Sequence, residues 1–200
     1  MKGHVLALSA VCFGTVMTAQ APPRFEWLGS CPVECCGYGA TWTALQPVPA
    51  VADVPAPGAA RTSAPAAFTI AAGAIVHAVT GTLYTIEKGA ARVDEDFSTD
   101  ATLSDFSTRH KRPVTFLAGE TIELLAPREK GVYRIMKDGR VVDANLYQIG
   151  TPESCKTASA RCAGIITKQP VTEWWVMVLN QERQSGWIRS PEHFARAGCR

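Results

Sequence analysis

Three cysteines near the start of the chain are the first candidates for chemistry. Cys31, Cys35 and Cys36 form a C-x3-C-C pattern, which brings three sulfur atoms within reach of one another or of a metal ion. The histidines are scattered and provide no obvious fourth ligand, and the C-x-x-C spacing of zinc ribbons and thiol oxidoreductases is absent. The pattern therefore favours structural disulfides, with no metal or other cofactor. An enzyme or a redox or metal protein that uses this cluster is the alternative.

Residues 1–21 have the pattern of a secretory signal peptide. Lys2 provides the positive end, an apolar run follows, and the small residues Ala19 and Ala21 form a cleavage site. The run is shorter than the ~20 residues that a transmembrane helix needs. We expect a periplasmic or secreted protein without an integral membrane segment.

Three further cysteines, Cys155, Cys162 and Cys199, lie late in the sequence. Removal of the signal peptide takes Cys12 from the seven cysteines and leaves six, which in an oxidising compartment is typical of a disulfide framework. We predict a local bond between Cys155 and Cys162, and a bond from Cys199 back to the N-terminal cluster. The other pairings stay open.

The remaining polar residues do not form a recognisable catalytic motif. The sequence has no H-E-x-x-H, no G-x-S-x-G and no glycine-rich phosphate loop. His77 alternates with Val76 and Ala78 in a β-type run, which predicts that its side chain faces solvent. We predict that the protein is not an enzyme.

Aromatic residues are better candidates for function. Trp174 and Trp175 are adjacent on one predicted strand and must point to opposite faces. Met177 and Leu179 are in phase with Trp175. We therefore predict that Trp175 points inward and Trp174 outward. Exposed aromatic side chains dominate binding in small β modules, so we predict a ligand-binding surface formed by Trp174, Trp187 and Tyr133. The alternative is that these side chains cap the ends of small barrels.

The elements that position these residues are predicted to be short strands. The chain has 200 residues, 46% of them hydrophobic, with 16 glycines and 13 prolines between the apolar runs. Its net charge of +2 is too small for a nucleic-acid or anionic-membrane surface. The predicted strands are residues 41–54 (an edge strand), 68–70, 75–80, 83–86, 91–93, 114–116, 121–125, 132–136, 140–143, 174–179 and 186–188. Only residues 192–195 have helical character.

Turns and a weak repeat indicate how these strands are organised. Asp138-Gly139 predicts a hairpin with a type I′ turn. The sequence around residues 83–89 is similar to that around 132–139, which suggests two related β units. After the signal peptide (1–21) and a Cys-rich leader (22–40), we place these units at residues 41–113 and 114–200. Residues 94–113 and 146–170 are interpreted as loops inserted into the units.

The chain resembles secreted bacterial SH3-like (SH3b) domain proteins of an uncharacterised proteobacterial group. Residues 173–180 and 185–188, which contain Trp-Trp-Val and Gly-Trp-Ile, are similar to the closing hairpin of that barrel. Leu-Ala-Gly-Glu at residues 117–120 is similar to the entrance of an earlier strand, and residues 25–29 and 35–39 are similar to the start of such exported proteins.

The resemblance implies an all-β fold of SH3-like barrels with almost no helix. It also implies a non-catalytic module that recognises a peptide, a cell-wall fragment or a partner protein. Residues 48–57 lack the V-N-V-R-x-G-P pattern of the family, so the ligand-loop residues of the family are not transferred to this chain.

Overall fold

The computed structural model describes residues 25–32, 36–55, 65–103, 111–157, 162–189 and 191–196. Strands make up 63% of these residues. In chain order they are β1 (Phe25–Leu28), β2 (Thr41–Ala44), β3 (Val48–Val51), β4 (Ala66–Ile70), β5 (Ile75–Glu87), β6 (Gly89–Val93), β7 (Phe97–Leu103), β8 (Lys111–Phe116), β9 (Thr121–Glu129), β10 (Val132–Lys137), β11 (Arg140–Asn145), β12 (Ile149–Gly150), β13 (Gly164–Lys168), β14 (Val171–Leu179), β15 (Ser185–Arg189) and β16 (Phe194–Arg196).

Helix is confined, in these described ranges, to α1 (Pro152–Thr157) and a 3-10 turn (Pro191–His193). The predicted all-β class is therefore confirmed. The helix predicted at residues 192–195 is wrong, since the chain passes from the 3-10 turn directly into β16. The helix α1 was not predicted because a segment of six residues is too short to show a helical period. It begins after Thr151, whose Oγ1 accepts a hydrogen bond from the Ser154 N–H at 3.2 Å.

The strands form two eight-stranded sheets. The first has the order β16-β2-β5-β14-β15-β3-β4, with β1 also paired to β5, and the second has the order β12-β13-β6-β9-β10-β11-β7-β8. Every strand of the second sheet comes from the chain between β5 and β14. One unit is therefore inserted into the other, whereas the division expected after residue 113 falls within β8 of the second sheet.

The chain crosses between the sheets at Lys88 and Gly89. The return crossing passes the same place, because a Cβ on Gly89 would lie 2.5 Å from the backbone nitrogen of Pro170. Residues 83–89 thus end one sheet and begin the other. Residues 132–139, in contrast, form a true hairpin of β10 and β11 with positive φ at Asp138 and Gly139, as predicted. The similar segments do not form equivalent structures.

Three segments that were interpreted as leader or loop contain strands. The leader contains β1, residues 94–113 contain β7 and the start of β8, and residues 146–170 contain β12, α1 and β13. In β7 the buried Phe97 and Ala101 alternate with the exposed Ser98 and Asp100. A half-polar strand of this kind is hard to recognise next to a run of charged residues.

Each sheet has its own buried core, and a third, smaller apolar cluster lies on β3, β5 and β14 of the first sheet. The units also touch directly: Thr85 Oγ1 donates to the Leu125 carbonyl at 2.7 Å, and Ala126 of β9 packs in the core of the first sheet.

Two disulfides join Cys31 to Cys36 and Cys155 to Cys162, and the second confirms the predicted local pair. Cys35, Cys199 and the predicted signal peptide lie outside the described residues, so the expectations for them stay predictions. In the part of the chain that the structure describes, no helix has the length and apolar character needed to cross a membrane.

Candidate functional site

Trp174 lies in the core, so its predicted outward position is wrong. Its side chain is 7% exposed, and its ring makes an edge contact with Trp42 at a centroid distance of 6.2 Å. The residues in phase with it, Val176 and Val178, are fully buried. Both phases of β14 are apolar, so alternation alone does not choose the inner face.

A half-buried tyrosine, Tyr38, holds the indole of Trp174 in place. Trp174 Nε1 donates to the Tyr38 hydroxyl at 2.7 Å, and this hydroxyl donates to the Ser30 carbonyl at 2.9 Å. Burial raises the pKa of Tyr38 to about 12, although the hydrogen bond from Trp174 acts in the opposite direction. The arrangement satisfies the polar atoms of a core.

The three predicted binding residues do not come together. Tyr133 lies on β10, packs against the core of the second sheet, and donates from its hydroxyl to Gln169 Oε1 at 3.3 Å. Trp187 lies on β15 directly opposite Val51 and is half-buried in the small third cluster. Of the three, only Trp187 lies on the face that carries the groove described next.

This groove lies beside Trp175, on the face of the first sheet opposite Trp174. Its volume is about 160 Å³, and it is lined by Val48, Pro49, Val51, Trp175, Arg189, Glu192 and His193. Val51 and Trp175, both members of the third cluster, form its apolar wall, and Trp175 is 6% exposed, about as buried as Trp174. The rim is polar, since Arg189 is half-buried and His193 and Glu192 are accessible.

One buried carboxylate orients both the aromatic and the cationic residue of the groove. Glu173 is 4% exposed, accepts from Trp175 Nε1 at 2.6 Å, and accepts from Arg189 Nη2 at 3.0 Å. Arg189 is also the direct cross-strand partner of Trp175. Burial of a carboxylate is costly unless such bonds compensate it. The indole and the guanidinium are thus held in fixed positions before any ligand arrives.

A second carboxylate, Glu26, lies across β5 from Glu173. Glu26 and Glu173 are the cross-strand partners of Tyr84 on its two sides, and the Tyr84 hydroxyl donates to Glu26 Oε1 at 3.0 Å. Two carboxylates beside a hydroxyl could in principle serve acid–base chemistry. Both oxygens of Glu173, however, already accept hydrogen bonds from Trp175 and Arg189, which suits a positioning role better than proton transfer.

The other candidates for chemistry contribute little to this face. Among the described residues no group of histidine, cysteine and carboxylate side chains is arranged to hold a metal ion. His77 is exposed while Val76 and Ala78 are buried, which confirms its predicted direction. His193, which no motif singled out, reaches the groove because the 3-10 turn follows β15. The sequence analysis did not single out Glu173, although a charged residue directly before two tryptophans is a signal that could have drawn attention to it.

Comparison with protein-family models, with curated proteins and with solved structures finds no match for this chain.

Proposed function

We propose that the protein is an exported, non-catalytic binding module of the SH3-like type, which recognises a peptide, a cell-wall fragment or a partner protein. In this proposal the ligand inserts one side chain into the groove beside Trp175. The observation that carries the proposal is the fixed pair of Trp175 and Arg189 on one buried carboxylate, Glu173. Preorganised groups of this kind reduce the ordering cost of binding.

The size of the groove supports a polymer side chain as the bound group. A volume of about 160 Å³ is similar to that of a cavity that holds benzene, about 150 Å³. Pockets that enclose a whole small molecule have volumes of roughly 300 to 1,000 Å³. The groove therefore suits the anchoring of one apolar or ring-shaped group of a longer ligand.

The chemistry of the rim supports a ligand with a carboxylate close to that group. Arg189 uses Nη2 for Glu173, and an arginine has five N–H donors. Further donors remain for a carboxylate or carbonyl oxygen, and His193 lies on the same rim. Peptides and the peptide stems of cell-wall fragments both carry such groups.

The SH3-like part of the proposal is supported by the closing hairpin. β14 and β15 pair in register from Trp175 with Arg189 to Leu179 with Ser185, which is the hairpin that carried the resemblance. Trp187 lies in this hairpin and contributes to the groove face.

Calorimetric titration with muropeptides released from peptidoglycan, and with short acidic peptides, tests the proposal. We expect Arg189→Lys and Trp187→Ala to weaken binding at least tenfold, which corresponds to about 1.4 kcal/mol. Arg140→Lys is the matched control because Arg140 is exposed in the second sheet. Equal affinity of all variants, or no binding of either ligand class by the wild type, would overturn the proposal.

A further inference from the structure

The edges of the two sheets differ in how they are protected against pairing with another strand. Among the described strands, the edge strands are β16, β4 and β1 in the first sheet, where β1 pairs with β5 alone, and β12 and β8 in the second. An edge strand presents unpaired N–H and C=O groups, and proteins block such edges with short strands, charges or proline.

Four of these five edges are short or blocked. β1 has four residues and carries the charge of Glu26. β12 has two residues, and β16 has three and ends at Arg196. β8 begins with Lys111, Arg112 and Pro113, so it has two cations and a residue without an N–H.

β4 has neither protection. Its five residues, Ala66–Ile70, include no charge and no proline, and it pairs only with β3 among the described strands. A bulge between Ala50 and Val51 of β3 confines regular pairing to residues 68–70. Within this stretch Thr69 lies opposite Pro49. Pro49 has no N–H to donate, so it suits a position whose partner makes no backbone hydrogen bonds to it. In that case the N–H and C=O of Thr69 point away from β3, toward the free edge.

A shallow groove with both apolar and polar walls runs beside this edge. Its volume is about 190 Å³, and its walls are Phe68, Thr69, Ile70, Ala71, Ala74, Ile75, Val76, Asn180, Gln181 and Glu182. Ile75 is 45% exposed there. Glu182 is the one charged side chain among these described residues, and it has no ion-pair partner in the described part of the chain.

We propose that β4 is a docking edge for an extended peptide segment of a partner protein. The segment adds a strand to the first sheet by pairing its backbone with Thr69. Its apolar side chains, at alternate positions, cover Phe68 and Ile75, and one lysine or arginine faces Glu182. Main-chain hydrogen bonds give affinity in such strand addition, and alternate side chains give specificity. The absence of charge in β4 suits apolar residues in the partner segment, and the unpaired carboxylate of Glu182 suits one basic residue.

This surface is separate from the groove beside Trp175. The two share no lining residue, so binding at β4 can occur whether or not the other groove holds a ligand.

Amide hydrogen exchange measured by NMR on the full mature chain tests the proposal. The probe is an acetylated and amidated heptapeptide with valine at alternate positions, threonine between them and arginine at one end. Its control has glutamate in place of the arginine. We expect the amide of Thr69 to exchange at least tenfold more slowly with the arginine peptide. We also expect Glu182→Gln to weaken this peptide several-fold.

Two variants separate strand addition from other contacts. Thr69→Pro removes the outward N–H and should abolish binding of the arginine peptide, followed through the amide signals of Phe68 and Ile70, whereas Thr69→Val keeps the N–H and should preserve binding. Thr69→Lys, which adds a like charge beside the arginine, gives a second blocking variant if the proline substitution perturbs the fold. Equal binding of the two peptides, or changes confined to the Trp175 groove, would overturn the proposal. Protection of Thr69 without peptide would also overturn it, because the edge would then be covered by the chain itself or, if concentration-dependent, by a second copy.

Discussion

The guanidinium of Arg134 lies over the indole ring of Trp27, with its central carbon 4.3 Å from the ring centroid. Arg134 belongs to β10 of the second sheet and Trp27 to β1 of the first. On its other side Arg134 binds Asp143 through two hydrogen bonds of 2.8 and 3.1 Å. The pair therefore joins the two units through a buried cation that is held by a carboxylate on one side and an aromatic ring on the other.

A similar contact lies beside it on β1. Lys88 Nζ lies 5.0 Å from the ring centroid of Phe25 and 2.6 Å from Glu123 Oε1. Phe25 and Trp27 are themselves stacked, with centroids 5.9 Å apart. The strand β1 thus presents two aromatic rings to cations that are each backed by a carboxylate of the second sheet.

We predict a measurable coupling between Trp27 and Arg134. In a double-mutant cycle of Trp27→Leu and Arg134→Lys, the coupling in the free energy of unfolding should be about 0.5 to 2 kcal/mol, because lysine loses the planar stack. Denaturant unfolding of the four proteins measures it. The same cycle with the exposed Arg140 should be additive within ~0.5 kcal/mol. Additivity of both cycles would show that the stack does not join the units.

The half-buried hydroxyl of Tyr38 predicts a loss of stability at high pH. Its pKa rises from 10.0 to about 12 on folding because of burial, so the folded state keeps a proton that the unfolded state releases between these values. Stability should therefore be unaffected by this group below about pH 10 and should fall as the pH rises toward 12.

The variant Tyr38→Phe isolates this effect. We expect it to be less stable by about 1 to 3 kcal/mol at pH 7, since Trp174 Nε1 and the Ser30 carbonyl lose their partner. The difference from wild type should shrink between pH 10 and 12 in urea unfolding. Tyr147→Phe is the control because Tyr147 is 64% exposed. A constant difference across this range would contradict the assignment.

Gly81 on β5 should not tolerate a side chain. An added Cβ would collide with the Tyr38 hydroxyl and would lie 2.8 Å from the Trp175 carbonyl oxygen. We predict that Gly81→Ala destabilises the protein by about 1 to 3 kcal/mol in thermal or urea unfolding. Part of this cost should disappear in the Tyr38→Phe background. A neutral Gly81→Ala would mean that the aromatic core is packed less tightly than described.

Peptide mapping under non-reducing conditions should recover the Cys31–Cys36 and Cys155–Cys162 bonds. Of the six cysteines left after removal of the signal peptide, Cys35 and Cys199 then remain, and we predict that they are joined. Thiol titration of the native and the unfolded protein should find no free thiol. A reactive thiol of low pKa would instead favour the alternative of redox chemistry at the N-terminal cysteines.

Local features were predictable from the sequence. The turn at Asp138-Gly139, the bond between Cys155 and Cys162, and the solvent-facing His77 each depend on residues close together in the chain. The all-β class follows from many such short runs. In these short strands apolar and polar residues alternate clearly enough to identify each strand without knowing which strand it pairs with.

Non-local features were not predictable in this way. The crossing at Lys88 and Gly89 separates two strands that are adjacent in sequence, and no local pattern marks a change of sheet. The faces of Trp174 and Trp175 depend on which side the rest of the chain covers. Glu173 could be recognised as a buried group only when Arg189, 16 residues away, was placed beside it.

The central claim is that ligands bind on the Trp175 face rather than the Trp174 face, and the five indole N–H signals test it most directly. Four of these groups have different hydrogen-bond acceptors: Thr85 for Trp27, Gly37 for Trp42, Tyr38 for Trp174 and Glu173 for Trp175. Trp187 has no acceptor among the described residues, so all five signals should be resolved.

In an NMR titration with muropeptides or acidic peptides, the indole signals of Trp175 and Trp187 should shift with saturation while those of Trp42 and Trp174 stay constant. Shifts confined to Trp42 and Trp174, or none at any tryptophan under conditions where the ligand binds, would contradict the account.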